Sequence, residues 1–272
     1  MIDEKEFDAL TPKNRPYASE PTGKLVNMFF AQGESVGAVV SELAVRARKG
    51  DNAALGGLLL ALQKENKKLS RLAAKALGLV GKPALDRILS TELLDPSKRE
   101  GSVRDAALAA LAEIGKNDWN AFVEKLFVIV SEGKISNNLT GLIEATVLIA
   151  LATEEKTARE AVSALMFASE HPEQLVSANI LDNLKAIADA RKEFEPSVDD
   201  FIKAKAKREE EAAREKQRIL EKNANGSVAI ARVPIVKVPG VPKNGTVVPI
   251  EDEKPAGKVV HIEQARARKA AK

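Results

Sequence analysis

The sequence predicts an all-α protein: an α-solenoid of about five stacked helix pairs, then a projecting charged helix and an extended Val/Pro-rich C-terminal arm. Three observations predict it. From about residue 35 to residue 195, apolar residues recur at i, i+3, i+4 and i+7, without β-hairpin signals. Within that span an apolar ridge returns at steps of 33, 34, 36 and 37 residues. Past residue 196 the composition changes twice, first to charged residues and then to valine with proline.

Residues 1–34 read as a leader. Pro12, Pro16 and Pro21 interrupt any long helix. Leu25, Val26, Met28, Phe29 and Phe30 form an apolar cluster, which predicts a short helix near 21–31 covering one end of the body.

Residues 35–195 form the predicted body. Alanine and leucine dominate, and both favour helix. Breaks are expected at Gly50-Asp51, Gly81-Lys82-Pro83, Asp95-Pro96, Gly115-Lys116-Asn117-Asp118, Glu132-Gly133 and His171-Pro172. They divide the body into about nine helices in antiparallel hairpins.

Repetition is the most specific feature. Leu69, Ala73, Leu77 and Val80 form one ridge, and Val103, Ala107, Leu111 and Ile114 form the next, 34 residues on. Val36/Val40/Ala44/Ala47, Leu139/Ile143/Val147/Ala150 and Val176/Ile180/Leu184/Ile187 fit the same frame. Gly81 and Gly115 close the two best copies, where a helix C-terminus needs a residue that tolerates the left-handed region. A helix pair cannot bury its apolar face alone, so a period of this length calls for stacked neighbours.

The stretch Val103-Arg104-Asp105-Ala106-Ala107-Leu108-Ala109-Ala110-Leu111-Ala112-Glu113-Ile114-Gly115 resembles the short bacterial HEAT-like repeat. That type opens on Val-Arg, continues through alanines to Ala-Leu, and ends on Ile-Gly. The resemblance is close in two units and loose in three, and covers roughly residues 35–195. It implies a right-handed solenoid. The family's arginine is present only as Arg104; its equivalents are Gly37, Ser70, Thr140 and Ser177, so no stacked Arg–Asp ladder is expected.

Residues 196–222 begin with Ser197-Val198-Asp199-Asp200 after Pro196, a helix-start signal, and continue through a Lys/Arg/Glu run. Too few apolar residues are present for a full buried face, so a solvated projecting helix is expected. Glu210 and Arg214 are spaced for an i, i+4 pair. Residues 223–272 hold Pro234, Pro239, Pro242, Pro249 and Pro255 among Val and Ile residues, with no aromatic residue. A plain linker is poorer in apolar residues, and a central strand does not hold five prolines. The predicted behaviour is an extended arm that orders on a partner.

Composition removes several function classes. The chain has 272 residues and no cysteine, so a disulfide framework and a Cys nucleophile are excluded. The two histidines, His171 and His261, are far apart, which argues against a His-based metal site or triad. No cofactor and no metal is predicted. No apolar run approaches the length needed to span a bilayer, and no secretory signal is visible at Met1–Glu6, so a soluble protein is expected, cytoplasmic or, as a phage component, in the virion.

Candidate chemistry is sparse. Gly78-Leu79-Val80-Gly81-Lys82-Pro83 lacks the spacing and the Ser/Thr of a phosphate loop and reads as a helix stop. Asp118 precedes the only tryptophan, Trp119, and is placed as an N-cap; Trp119 is a candidate binding anchor. His171 follows a helix end, where a cation fits. Asp95–Ser102 is a charged inter-repeat loop, of the kind that carries binding in solenoids. Asn138-Leu139-Thr140 matches a glycosylation sequon without a secretory signal beside it.

Charge is unevenly spread. Residues 1–196 hold 25 Lys/Arg against 28 Asp/Glu, a net of −3; residues 197–272 hold 17 against 11, a net of +6. The expected function is therefore a non-enzymatic scaffold, or a subunit of a larger assembly such as a viral or phage particle. The C-terminal arm would tether a protein partner or another copy through Val233, Ile235, Val238, Val241, Val248 and Ile250, with Arg266, Arg268 and Lys269 supplying charge. The alternative is a nucleic-acid-associated protein using that basic third. A HEAT-like enzyme, such as a glycosylase or bilin lyase, ranks below both, because no convergent catalytic set is present.

Overall fold

The chain folds into short helices, most of them meeting at expected breaks, with two further boundaries, after Leu62 and after Ala152, that no expected break marks. The computed structural model describes residues 15–33, 35–64, 66–97 and 101–224. Among them the structure is all-α. The α-helices are α1 (Thr22–Ala31), α2 (Val36–Arg48), α3 (Asn52–Leu62), α4 (Lys67–Val80), α5 (Lys82–Leu89) and α6 (Gly101–Asn117). They continue as α7 (Trp119–Ser131), α8 (Asn137–Ala152), α9 (Glu155–Ala168), α10 (Gln174–Ala190) and α11 (Glu195–Ala224). Short 3-10 turns sit at Glu92–Leu94 and Lys192–Phe194. The chain divides into two compact units, Met1–Gln217 and Arg218–Lys272. In the second unit only residues 218–224, the end of α11, are described.

Side-chain caps account for four of the helix starts, those of α3, α4, α7 and α8. The Asp51 carboxylate accepts from the Ala53 and Ala54 amides at 2.9 and 3.0 Å. Asn66 does the same for Lys68 and Leu69. Asp118 accepts from Ala121, and Ser136 from Leu139. Each satisfies amide donors that the first turn leaves without a partner.

The two repeat glycines have different jobs. Gly81 ends α4 with φ +73°, as expected of a helix stop. Gly115 is no stop: α6 runs through it to Asn117. A Cβ there would lie 2.4 Å from Ile149 Cδ1 and 3.2 Å from the Phe122 ring. Its missing side chain admits neighbouring residues rather than freeing the backbone.

Packing follows the ridges. The five predicted ridges lie on α2, α4, α6, α8 and α10, and every ridge residue is buried except Val147 and Val176, which are half-buried against the core. These helices pack in series, α2 on α4, α4 on α6, α6 on α8 and α8 on α10. The intervening helices pack on them: α3 on α2 and α4, α7 on α6 and α8, and α9 on α8 and α10. Alanine and glycine permit close approach. A Cβ on Gly78 of α4 would come 2.8 Å from Glu113 Cβ and 3.0 Å from the Glu113 carbonyl carbon in α6.

Polar side chains tie distant segments. Arg104 on α6 holds Glu144 on α8 at 2.7 Å, and Lys125 on α7 holds Asp86 on α5 at 3.0 Å. Several C-terminal carbonyls are capped from a distance. Asn138 Nδ2 donates to Leu89 O at 2.9 Å, and Arg191 Nη1 donates to Ala150 O and Thr153 O at 2.7 and 2.9 Å. Arg191 also lies 5.0 Å from the Phe194 ring centre.

At the leader end, α1 covers α2 and α3. Leu25 and Phe29 are fully buried there. Glu42 is 3% exposed and receives Arg15 at 2.6 and 2.7 Å and Arg46 at 2.8 Å. Arg46 also donates to the carbonyls of Tyr17 and Ala18.

The last helix differs in extent from the expectation. It starts at Glu195, with Pro196 in its first turn, and runs to Ala224. Val198 and Lys205 are buried and Phe201 and Ile202 half-buried, so the early turns are docked rather than projecting. From Ala206 to Gln217 every residue is exposed. The Glu210–Arg214 pair forms.

Candidate binding surfaces

The residues singled out for chemistry are occupied by folding. Asp118 is the N-cap of α7. Trp119, at the start of α7, is half-buried and stacks on Phe122 with ring centres 5.9 Å apart. Gly81 is the stop of α4, and Lys82-Pro83 opens α5. Asn138 caps α5 from the start of α8.

His171 departs from the expected cation site. It is 4% exposed, and its Nδ1 accepts from the Glu173 amide at 3.1 Å. An accepting Nδ1 belongs to the neutral ring with its proton on Nε2. The ring therefore shapes the turn before α10 instead of charging the end of α9. That end is served by Lys205, whose ammonium donates to Ser169 O at 3.0 Å.

In the charged loop, Asp95 accepts from the amide and hydroxyl of Ser97 at 2.9 and 2.7 Å. The remaining predicted partner-binding residues, Val233, Ile235, Val238, Val241, Val248, Ile250, Arg266, Arg268 and Lys269, lie outside the described residues, as does His261. Among the described residues no group of three or more His, Asp or Glu side chains is placed to hold a metal ion. Also among them, no helix is long and apolar enough to cross a membrane.

What the fold does display is two apolar surfaces of unlike charge. The first is a depression of about 620 Å³ lined by Phe30, Leu60, Gln63, Lys64, Asn66 and Leu69. Leu60 in its lining is 46% exposed, and the Lys64 ammonium stands 6.0 Å from the Phe30 ring centre. Lys67, Lys68 and Arg71, on the adjoining turns of α4, are exposed. Residues 46–91 carry ten Lys/Arg and three Asp/Glu, a net of +7.

The second surface is the outer face of α7 and α9. Phe127 and Phe167 meet with ring centres 4.4 Å apart, yet they remain 36% and 49% exposed. Val128 beside them is 49% exposed. Glu124, Glu132 and Glu160 are exposed on the same two helices and at the end of α7. Residues 92–196 carry eleven Lys/Arg and eighteen Asp/Glu, a net of −7. The net of −3 for residues 1–196 conceals this division. A charge count in windows of about fifty residues would have exposed it; the pairing of Phe127 with Phe167 has no such signal.

No family model, no curated protein and no solved structure matches this chain.

Proposed function

We propose that the protein is a non-enzymatic scaffold or assembly subunit, built as a solenoid of HEAT-like helix pairs. The serial packing of α2, α4, α6, α8 and α10, each presenting a repeat ridge, supports the solenoid reading. The tethering reading is carried by one sequence observation: residues 223–272 combine apolar residues with five prolines and no aromatic residue. Such a segment gains little from folding alone and gains most by laying alternate side chains on a partner. In this reading Val233, Ile235, Val238, Val241, Val248 and Ile250 make the apolar contacts, and Arg266, Arg268 and Lys269 supply charge.

The test is co-purification of a partner or assembly with the full chain and with residues 223–272 deleted. Loss of association on deletion is expected. Unchanged association would overturn the tether.

A second reading follows from the +6 balance of residues 197–272. It predicts binding to single- or double-stranded nucleic acid that weakens steeply with salt. Absence of binding at low salt removes it.

A further inference from the structure

We infer that the body carries a second, arm-independent contact: the basic depression of one copy receives the acidic aromatic face of another. The two surfaces match in chemistry. One is an apolar hollow, Phe30, Leu60 and Leu69, beside Lys64, Lys67 and Lys68. The other is an exposed aromatic pair, Phe127 and Phe167, on two helices that also carry the exposed Glu124 and Glu160, with Glu132 at the end of α7. Aromatic rings seated in a pocket dominate binding energy, and surrounding charges set orientation and partner choice. Exposed apolar patches with a polar rim mark such contacts.

Charge complementarity identifies the occupant as a second copy. The stretch that forms most of the hollow has a net of +7, and the stretch that bears the aromatic face has a net of −7. Each surface repels its own kind and attracts the other. The contact joins two unlike surfaces, so it closes reciprocally in a two-fold pair or runs head to tail, each copy offering its hollow to one neighbour and its aromatic face to the next. Nothing in it depends on residues 223–272.

The experiment measures molar mass of the full-length chain by sedimentation over a concentration series, at low salt and at about 1 M salt, where the Debye length is about 3 Å. Mass should rise with concentration at low salt and fall back at high salt. Two charge-reversal variants, Lys64→Glu/Lys67→Glu/Lys68→Glu and Glu124→Lys/Glu132→Lys/Glu160→Lys, should each weaken association about a hundredfold or more. An equimolar mixture should restore it, because each variant then meets its opposite. Phe127→Ser/Phe167→Ser, with unchanged charge, should weaken association as strongly. Circular dichroism confirms that each variant is folded.

A full-length chain that stays monomeric throughout overturns the inference. So does association that survives both reversals, which would point to the arm, or a mixture that stays dissociated. Deletion of residues 223–272 separates the readings: it removes the tether and leaves both body surfaces intact.

Discussion

The buried ammonium of Lys205 donates to the carbonyl of Ser169 at 3.0 Å, and so fixes the first turns of α11 to the C-terminal end of α9. Glu170 and Glu209 lie 3.5 and 3.3 Å from the same nitrogen, so the charge is compensated where it is desolvated. Val198, earlier on the same helix, is also buried, but from Ala206 onward α11 has no buried residue through Gln217. Lys205 is thus the last buried point of the helix within this unit.

Lys205→Met keeps the length of the side chain and removes the donor. It should cost about 1–3 kcal/mol in the docking of α11. Amide exchange from Val198 to Glu209 should accelerate about tenfold or more, while α2–α6 exchange as before. Exchange unchanged across α11 would show that Val198, Phe201 and Ile202 suffice to hold it.

Two glycines one helix apart should respond to alanine in opposite ways. Gly56 on α3 is exposed, and a Cβ added there would meet nothing within 4 Å, so Gly56→Ala should stabilise by about 0.5–1 kcal/mol. Gly78 on α4 faces the backbone of α6 at 3.0 Å, which cannot rotate away. Gly78→Ala should destabilise by about 1–3 kcal/mol despite its better helix propensity. Urea unfolding of both variants checks the pair.

Acid should loosen the leader end. Burial by itself raises the Glu42 carboxyl, but the hydrogen bonds and charges of Arg15 and Arg46 outweigh it, and the group sits below its ordinary value. Asp51 is also lowered, by the Thr22 hydroxyl first and then by the Ala54 amide. A lowered folded value means stability that is present above the unfolded value, about 4, and lost as pH falls through the folded one. Tm should therefore drop as the pH falls below about 5. Glu42→Gln should cost about 2 kcal/mol at pH 7 and flatten that slope. An equal slope in the variant would place the acid sensitivity elsewhere.

Arg191→Ala should weaken the junction of α8 and α10. It leaves the carbonyls of Ala150 and Thr153 without their donor and removes the contact with Phe194. The expected loss is about 1–3 kcal/mol by thermal unfolding, and Arg191→Lys should restore only part of it, since one guanidinium nitrogen here serves two carbonyls while the guanidinium carbon stands over the Phe194 ring. Full restoration by lysine would show that charge alone matters at this site.

Much of the helical framework was legible in the sequence. Among the described residues, the helices from α2 to α10 follow the apolar period, and Asp51 and Asp118 cap first turns at expected breaks, whereas the Asn66 cap opens α4 at a boundary that no expected break marks. The ridges from Val36 to Ile187 fall on alternate helices because their period is that of the pair. These are local properties: a residue's propensity, its neighbours within four positions, and which face is apolar.

What the face meets is not local, and the tertiary structure decided it. Gly81 and Gly115 occupy equivalent repeat positions, yet one turns the chain and the other admits Ile149 and Phe122. Lys205 reads as one charge among many until Ser169 stands opposite it. Phe127 and Phe167 read as ordinary core residues until packing leaves both on an outer face, ring against ring. Helical period fixes which side chains share a face; only the arrangement of neighbouring helices fixes whether that face is filled, capped or left open.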